Sequence, residues 1–218
     1  MSETLSAPVC IRPQRTARKR VLCLGYDATE SPLPDALAAE GVEVWHTYDR
    51  IQSTAGHDLV VSYGYRHLLR RPVIESSPAP IINLHIAYLP WNRGAHPNFW
   101  SFFDATPSGV TLHLIDEGID TGPVLYQRYV NFAPHETTFT QTYQRLRQEI
   151  EALFIEHLEE IIEGRYRPRP QRRRGSYHAA ADLPAAFSGW NADIETEIAR
   201  LDALLGTGLK RPGDDQSA

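Results

Sequence analysis

The chain alternates short apolar runs with polar turns and then carries one long helical stripe. Arg20-Val21-Leu22-Cys23-Leu24-Gly25 is a compact apolar stretch closed by glycine, the pattern of a strand buried on both faces at the start of a parallel sheet. Pro32 to Glu40 then reads as a helix stopping at Gly41, and Val42 to Trp45 and Leu59 to Ser62 as two further strands. Pro72 suits the first position of a helix, Pro78 and Pro80 end it, and Ile81-Ile82-Asn83-Leu84 is another buried strand. Pro97 to Asp104 reads as a helix. Val110, Leu112 and Leu114 alternate within Gly109 to Ile115 as in a half-buried strand, and Val124 to Val130 follows after a turn. That pair predicts antiparallel strands added to a parallel sheet.

Phe139, Tyr143, Leu146, Ile150, Leu153, Phe154, Leu158, Ile161 and Ile162 recur at helical spacing, with Thr138 and Gln141 as a capping box and Gly164 as the stop. One helix over 138–163 is expected, packed either on its own sheet or on a second copy of the chain in a homodimer. The fold class is therefore α/β: a Rossmann-like, mostly parallel sheet flanked by helices, with added antiparallel strands. Residues 1–19 read as a flexible leader, 20–165 as the main domain, and 166–218 as an appendage with a short helix, Ile194 to Leu205, and a polar tail. There is no internal repeat or heptad array.

Composition narrows the functional classes. A length of 218 residues with 42% hydrophobic and 22% charged residues suits one main folded domain. A net charge of -5 supplies no global basic field, so nucleic acid is not expected as a partner. The leader carries Arg12, Arg15 and Arg18 but no apolar signal core, and no window reaches the ~20 apolar residues that span a bilayer. A soluble cytoplasmic protein with no membrane contact is expected. Cys10 and Cys23 form no C-x-x-C pair, which argues against a thiolate metal site.

Candidate chemistry begins at the end of the fourth strand. In Asn83-Leu84-His85 two polar side chains lie two residues apart, and extended geometry points both to one face. An amide that donates to a developing oxyanion and an imidazole that moves a proton together suit acyl chemistry. The loop Asp116-Glu117-Gly118-Ile119-Asp120-Thr121-Gly122-Pro123 sets three carboxylates beside two glycines, where the backbone can turn sharply and approach a ligand. One of these acids is expected to reach the histidine. As a metal site, His85, Asp116, Glu117 and Asp120 lack any ligand spacing, and no metal is expected.

Four ordered blocks, Asn83-Leu84-His85, Leu89-Pro90-Trp91-Asn92-Arg93-Gly94, Gly109-Val110-Thr111-Leu112-His113 and Asp116 to Gly122, resemble the 10-formyltetrahydrofolate-dependent formyltransferase family over roughly residues 20–165. The resemblance implies that Asn83, His85 and Asp120 are the catalytic residues, acting without a covalent enzyme intermediate on 10-formyltetrahydrofolate as co-substrate. It further implies that Tyr65, Arg66, His67 and Leu68, with the backbone of Asp116, Glu117, Gly118 and Ile119, line the folate site, both segments lying in loops at one sheet edge. The family's usual serine two residues past the histidine is Ala87 here.

The resemblance implies a small-molecule amine as acceptor, and three family members fit less well than a fourth. The tRNA enzyme has a C-terminal β-barrel, the deformylase an N-terminal regulatory domain, and the purine enzyme a glycine-rich phosphate loop where this chain has Gly25-Tyr26-Asp27. The expectation is an amino sugar, usually nucleotide-linked. Glycinamide ribonucleotide or an amino acid, hydrolytic deformylation, and a catalytically idle folate-binding scaffold are the alternatives. Tyr88, Trp91, Arg93, His96, Asn98 and Trp100 offer aromatic faces and donors for such an acceptor, or packing for the folate loop. His113 reads as a structural strand histidine, and His135 and His157 as surface or cap residues. Arg165 to Arg174 reads as a solvated basic linker before Tyr177-His178.

Overall fold

The computed structural model describes residues 7–172 and 174–206, so Arg173 and the expected polar tail beyond 206 lie outside the described residues. In chain order the elements are β1 (Val9–Arg12), β2 (Arg20–Gly25), α1 (Leu33–Ala39), β3 (Glu43–Thr47), β4 (Leu59–Tyr63), α2 (Arg71–Glu75), β5 (Ile81–His85), β6 (Arg93–Gly94) and α3 (Pro97–Phe103). They continue with β7 (Gly109–Leu114), β8 (Val124–Tyr129), α4 (Phe139–Glu156), α5 (Leu158–Glu163), β9 (Tyr177–His178) and α6 (Ile194–Leu205). Seven strands form one sheet in the order β1-β3-β2-β4-β5-β7-β8. Neighbours from β3 through β5 run parallel. The direction then reverses: the Ile115 N–H donates to the Ile81 carbonyl at 2.8 Å, which sets the end of β7 beside the start of β5. The α/β class with added antiparallel strands is what the hydrophobic pattern predicts.

Contacts divide the described residues into two discontinuous units, 7–85 with 112–126 and 150–171, and 86–111 with 127–149, 172 and 174–206. In the first, Val21, Leu22, Leu24, Val60 and Ile82 are almost wholly buried, as expected of strands covered on both faces. In the second, Phe99, Trp100, Phe103, Phe139 and Leu201 form an aromatic core against which Phe187 and Ile198 pack. Among the described residues no helix is long and apolar enough to cross a membrane.

Three expectations are corrected. Residues 9–12 of the leader form an edge strand antiparallel to β3, with Val9 opposite His46 and Cys10 opposite Trp45; four residues between Pro8 and Pro13 are too few to show a period. The boundary at 165 is not one: Arg169 exchanges both backbone hydrogen bonds with Val124 at 2.8 Å, β9 pairs with β6, and α6 joins the aromatic core. The single long helix is two, broken at His157 (φ -105°), whose ring stacks flat on Tyr126 at 3.7 Å. The apolar stripe runs through the break because only one residue leaves the helical path.

Glu197 on α6 shows how the second unit is tied locally. Nearly buried, it accepts from Arg200 at 2.8 Å and from the Ser188 N–H at 2.8 Å, and these donors, Arg200 foremost, hold its carboxyl down at about 2. A depressed carboxyl stabilises the fold above its ordinary value of 4.5 and loses that contribution as pH falls through about 2. Glu197→Gln should therefore melt below the parent at pH 7. The gap in melting temperature should shrink as pH is lowered from 4.5 toward 2.

Candidate active site

Strand register builds the first half of the site. Asn83 pairs with Ser62 across β4 and β5, and the reversed β7 brings His113 beside Asn83 on the other flank. Ser62, Asn83 and His113 thus form a polar row across three strands of the sheet, with Ser62 and His113 buried. The Asn83 Nδ2 lies 3.2 Å from His113 Nε2. His113 Nδ1 is 2.8 Å from the Leu114 carbonyl, which can only accept, so Nδ1 carries the proton and Nε2 of the neutral ring accepts from Asn83. His85, two residues past Asn83, is buried on the same face.

The acidic loop supplies the second half. It leaves β7 next to the start of β5 rather than at the carboxyl edge of the parallel strands, and Asp120 reaches back along β5. Its Oδ1 accepts from Asn83 Nδ2 at 3.2 Å and stands 3.4 Å from His113 Nε2. Oδ2 is 3.7 Å from His85 Nδ1, wider than a hydrogen bond. The expected Asp120–His85 pairing is thus a contact, while Asn83 takes the direct bond, because the loop descends over β7 and meets the Asn83–His113 pair first.

The loop is shaped by its own polar groups. Asp116 Oδ1 accepts from the Gly118 N–H at 3.0 Å and from the Thr121 hydroxyl at 2.6 Å. Asp120 sits at φ +52°, a left-handed conformation that aspartate tolerates better than most residues. Gln171 Nε2 donates to the Asp120 carbonyl at 2.9 Å and to the Gly122 carbonyl at 2.7 Å. A Cβ at Gly122 would fall 1.8 Å from the Leu114 carbonyl oxygen, so only glycine fits there.

One cleft gathers Asn83, His113 and Asp120 with Tyr65, His67, Leu68, Asp116, Glu117, Gly118 and Ile119. Arg66 is the one expected folate residue outside its lining. Leu68 is 69% and Ile119 41% exposed, leaving two apolar side chains in water at the cleft. The expected acceptor residues separate. His96 and Asn98 line an apolar cavity of about 360 Å³ in the second unit, with Ile86, Phe139, Tyr143 and Trp190. Burial lowers the His96 imidazole pKa from its ordinary value and so favours a neutral ring.

Trp100 is instead buried and stacks on His178 at 3.8 Å, and Tyr88 stacks on Tyr129 at 3.7 Å. Arg93 takes part through its backbone in the β6–β9 pair, and the Trp91 N–H bonds the Tyr88 carbonyl. Trp100 and Tyr88 each have a ring face taken up by such a stack, which assigns that face to packing. Trp190 and Tyr143, which line the cavity, escaped the sequence reading for lack of any local motif. Ser62 carries no sequence signal either, and His113, expected as a structural strand histidine, stands beside Asn83, a pairing that only the antiparallel register reveals. Among the described residues no group of three or more His, Cys, Asp or Glu is placed to hold a metal ion.

Comparison with known proteins bears on this geometry. A family model described as formyl transferase matches residues 40–158. The crystal structure of the formyltransferase PseJ from Anoxybacillus kamchatkensis, in complex with UDP-4,6-dideoxy-4-formamido-L-AltNAc and tetrahydrofolate, superposes with a TM-score of 0.76 at 38% identity, covering 83% of this chain and 98% of that one. A sugar N-formyltransferase from Shewanella sp. FDAARGOS_354 shares the fold at a TM-score of 0.67 and 20% identity, covering 84% of this chain and 87% of that one. Methionyl-tRNA formyltransferase from Halorhodospira halophila is 34% identical over 148 residues, 67% of this chain and 45% of the relative. The chain thus spans under half the length of that curated relative.

The Gly122 contact gives a direct test of the loop. Gly122→Ala should lose on the order of 1–3 kcal/mol in chemical denaturation, the usual cost of forcing an added methyl into filled space.

Proposed function

The chain belongs to the formyl transferase family, and from that membership we propose that it moves a formyl group from 10-formyltetrahydrofolate to the primary amine of a small acceptor, an amino sugar carried on a nucleotide. The observation that carries the reading is the convergence of Asn83, His85, His113 and Asp120 beside a cleft with apolar walls. The cleft suits a folate: Tyr65, Leu68, Leu69, Ile115 and Ile119 offer apolar surface to a flat ring, and the turn at Asp116 to Ile119 offers backbone polar groups. Bound there, 10-formyltetrahydrofolate supplies an activated formyl carbon.

The chain's own groups divide the work. The Asn83 amide donates to the oxygen on which negative charge develops, exchanging its long 3.2 Å bond to Asp120 for a shorter one. His85 adds a second donor on the same face. Asp120, next to both, would take the proton released by the attacking amine, directly or through water, and return it to the folate nitrogen as the bond between that nitrogen and the formyl carbon breaks, so that tetrahydrofolate leaves neutral at that nitrogen. His113 holds Asn83 in place through its unprotonated Nε2.

Two observations favour the sugar acceptor. PseJ, which binds a UDP-linked formamido sugar, aligns over 98% of its length at 38% identity. The apolar cavity lined by Trp190, Tyr143 and His96 gives aromatic faces for stacking. The first loop speaks against a phosphorylated purine precursor held there. The Tyr48 hydroxyl and Thr29 hold Asp27 in it down to about 2, so a fixed negative charge stands where a phosphate would be received.

A screen of nucleotide-linked amino sugars, glycinamide ribonucleotide, amino acids and methionyl-tRNA for amine-dependent release of tetrahydrofolate tests the reading. Turnover with an amino-sugar nucleotide is expected. Turnover only with another amine would overturn the acceptor, release without any amine would mark a hydrolase, and calorimetric folate binding without turnover would mark a scaffold. Asn83→Ala, His85→Ala and Asp120→Ala should each lower kcat by about a hundredfold to a thousandfold, the usual cost of losing one such donor or proton acceptor.

A further inference from the structure

Asp120 is the one residue of the acid–base cluster that comes from a loop, and its backbone is in the left-handed region at φ +52°. The side chain of Asp116 ties down Gly118 and Thr121, while the carbonyl oxygens of Asp120 and Gly122 are gripped from outside the loop. One amide nitrogen does this: Gln171 Nε2, with two N–H bonds, donates to Asp120 at 2.9 Å and to Gly122 at 2.7 Å.

The chain brings Gln171 there by pairing. Arg169 and Val124 form an isolated antiparallel bridge, and two residues further along both strands Gln171 faces Gly122. From that position the Gln171 side chain reaches both carbonyls. The conformation of residue 120 decides where its carboxylate points, so fixing its carbonyl fixes the carboxylate against Asn83 and His85.

We propose that Gln171, from the basic segment after α5, is the positioning residue for Asp120. The catalytic part of this inference rests on the reading of Asp120 as the group that takes the amine proton. Without the amide the two carbonyls turn to water, and Asp120 leaves the left-handed conformation for one of the broad basins open to any residue. The carboxylate then withdraws from Asn83 while the cleft and the sheet beneath it stay as they are.

Three variants separate positioning from stability. Gln171→Met keeps the length and removes both donors, Gln171→Glu keeps the shape and faces the carbonyls with an acceptor, and Gln171→Lys restores N–H donors. The first two should lower kcat by roughly 10- to 100-fold, the loss typical when a supporting hydrogen bond behind a functional group is removed. KM for the folate should stay within about twofold, as expected of a lost interaction made in the transition state alone. Gln171→Lys should recover most of the rate.

A second readout needs no turnover. In NMR spectra the side-chain NH2 signals of Asn83, which donates to Asp120 Oδ1, should move in Gln171→Met toward the positions they take in Asp120→Ala. The proposal is overturned if those signals and kcat stay at the parent values in Gln171→Met. It is also overturned if kcat falls only in step with melting temperature and Gln171→Lys does no better than Gln171→Met. Should the parent transfer no formyl group to any amine, the catalytic reading fails, and the Asn83 signals alone still decide whether Gln171 places Asp120.

Discussion

A carboxylate whose side chain is only 13% exposed must be met by donors, because an ion withdrawn from water without partners would give up its charge. At Asp120 that requirement organises the surrounding structure. The Asn83 amide meets one oxygen, the His113 ring lies behind it, and His85 faces the other. For these groups to converge, β7 must run against β5 in one particular register, and the loop must double back over the sheet. The doubling back requires a residue at positive φ, a glycine pressed on the Leu114 carbonyl, and an amide reaching in from 171. Each feature looks local, yet each is a condition for the same ion to sit where it does.

The parallel strands supply rigidity rather than chemistry. Val21, Leu22, Val60 and Ile82 are sealed from water, so the strands that hold Ser62 and Asn83 have little freedom to slide. A slip of one residue would turn Asn83 and His85 to the opposite face. Gly25 closes β2 where a Cβ would lie 2.2 Å from the Tyr63 carbonyl, so this glycine serves the close approach of two strands and leaves the first loop free to carry Asp27. The second unit keeps its own order through stacked rings and through the Glu197 cluster.

Much of this was readable in the chain. Buried strands announce themselves as apolar runs, and Asn83 with His85 declared a shared face by spacing alone. The acidic loop stood out because glycines beside carboxylates rarely serve packing. What stayed hidden depended on pairing between distant segments. His113 looks like any histidine in an alternating strand until β7 is known to run against β5. Gln171 sits in a stretch of arginine and proline that reads as linker, and only the Arg169–Val124 bridge gives it a partner. The edge strand at Val9 was too short to show alternation, and the break at His157 left the apolar stripe intact.

Leu68 and Ile119 stand in water on the cleft that holds Asp120, an arrangement with a thermodynamic signature of its own. Water ordered over such side chains is released when a ring system covers them, and the heat capacity of the complex falls below that of its separated parts. The enthalpy of association with a ligand seated there grows more favourable as temperature rises, even where the affinity changes little. Two exposed aliphatic side chains thereby write the size of the covered surface into the temperature dependence of the binding heat.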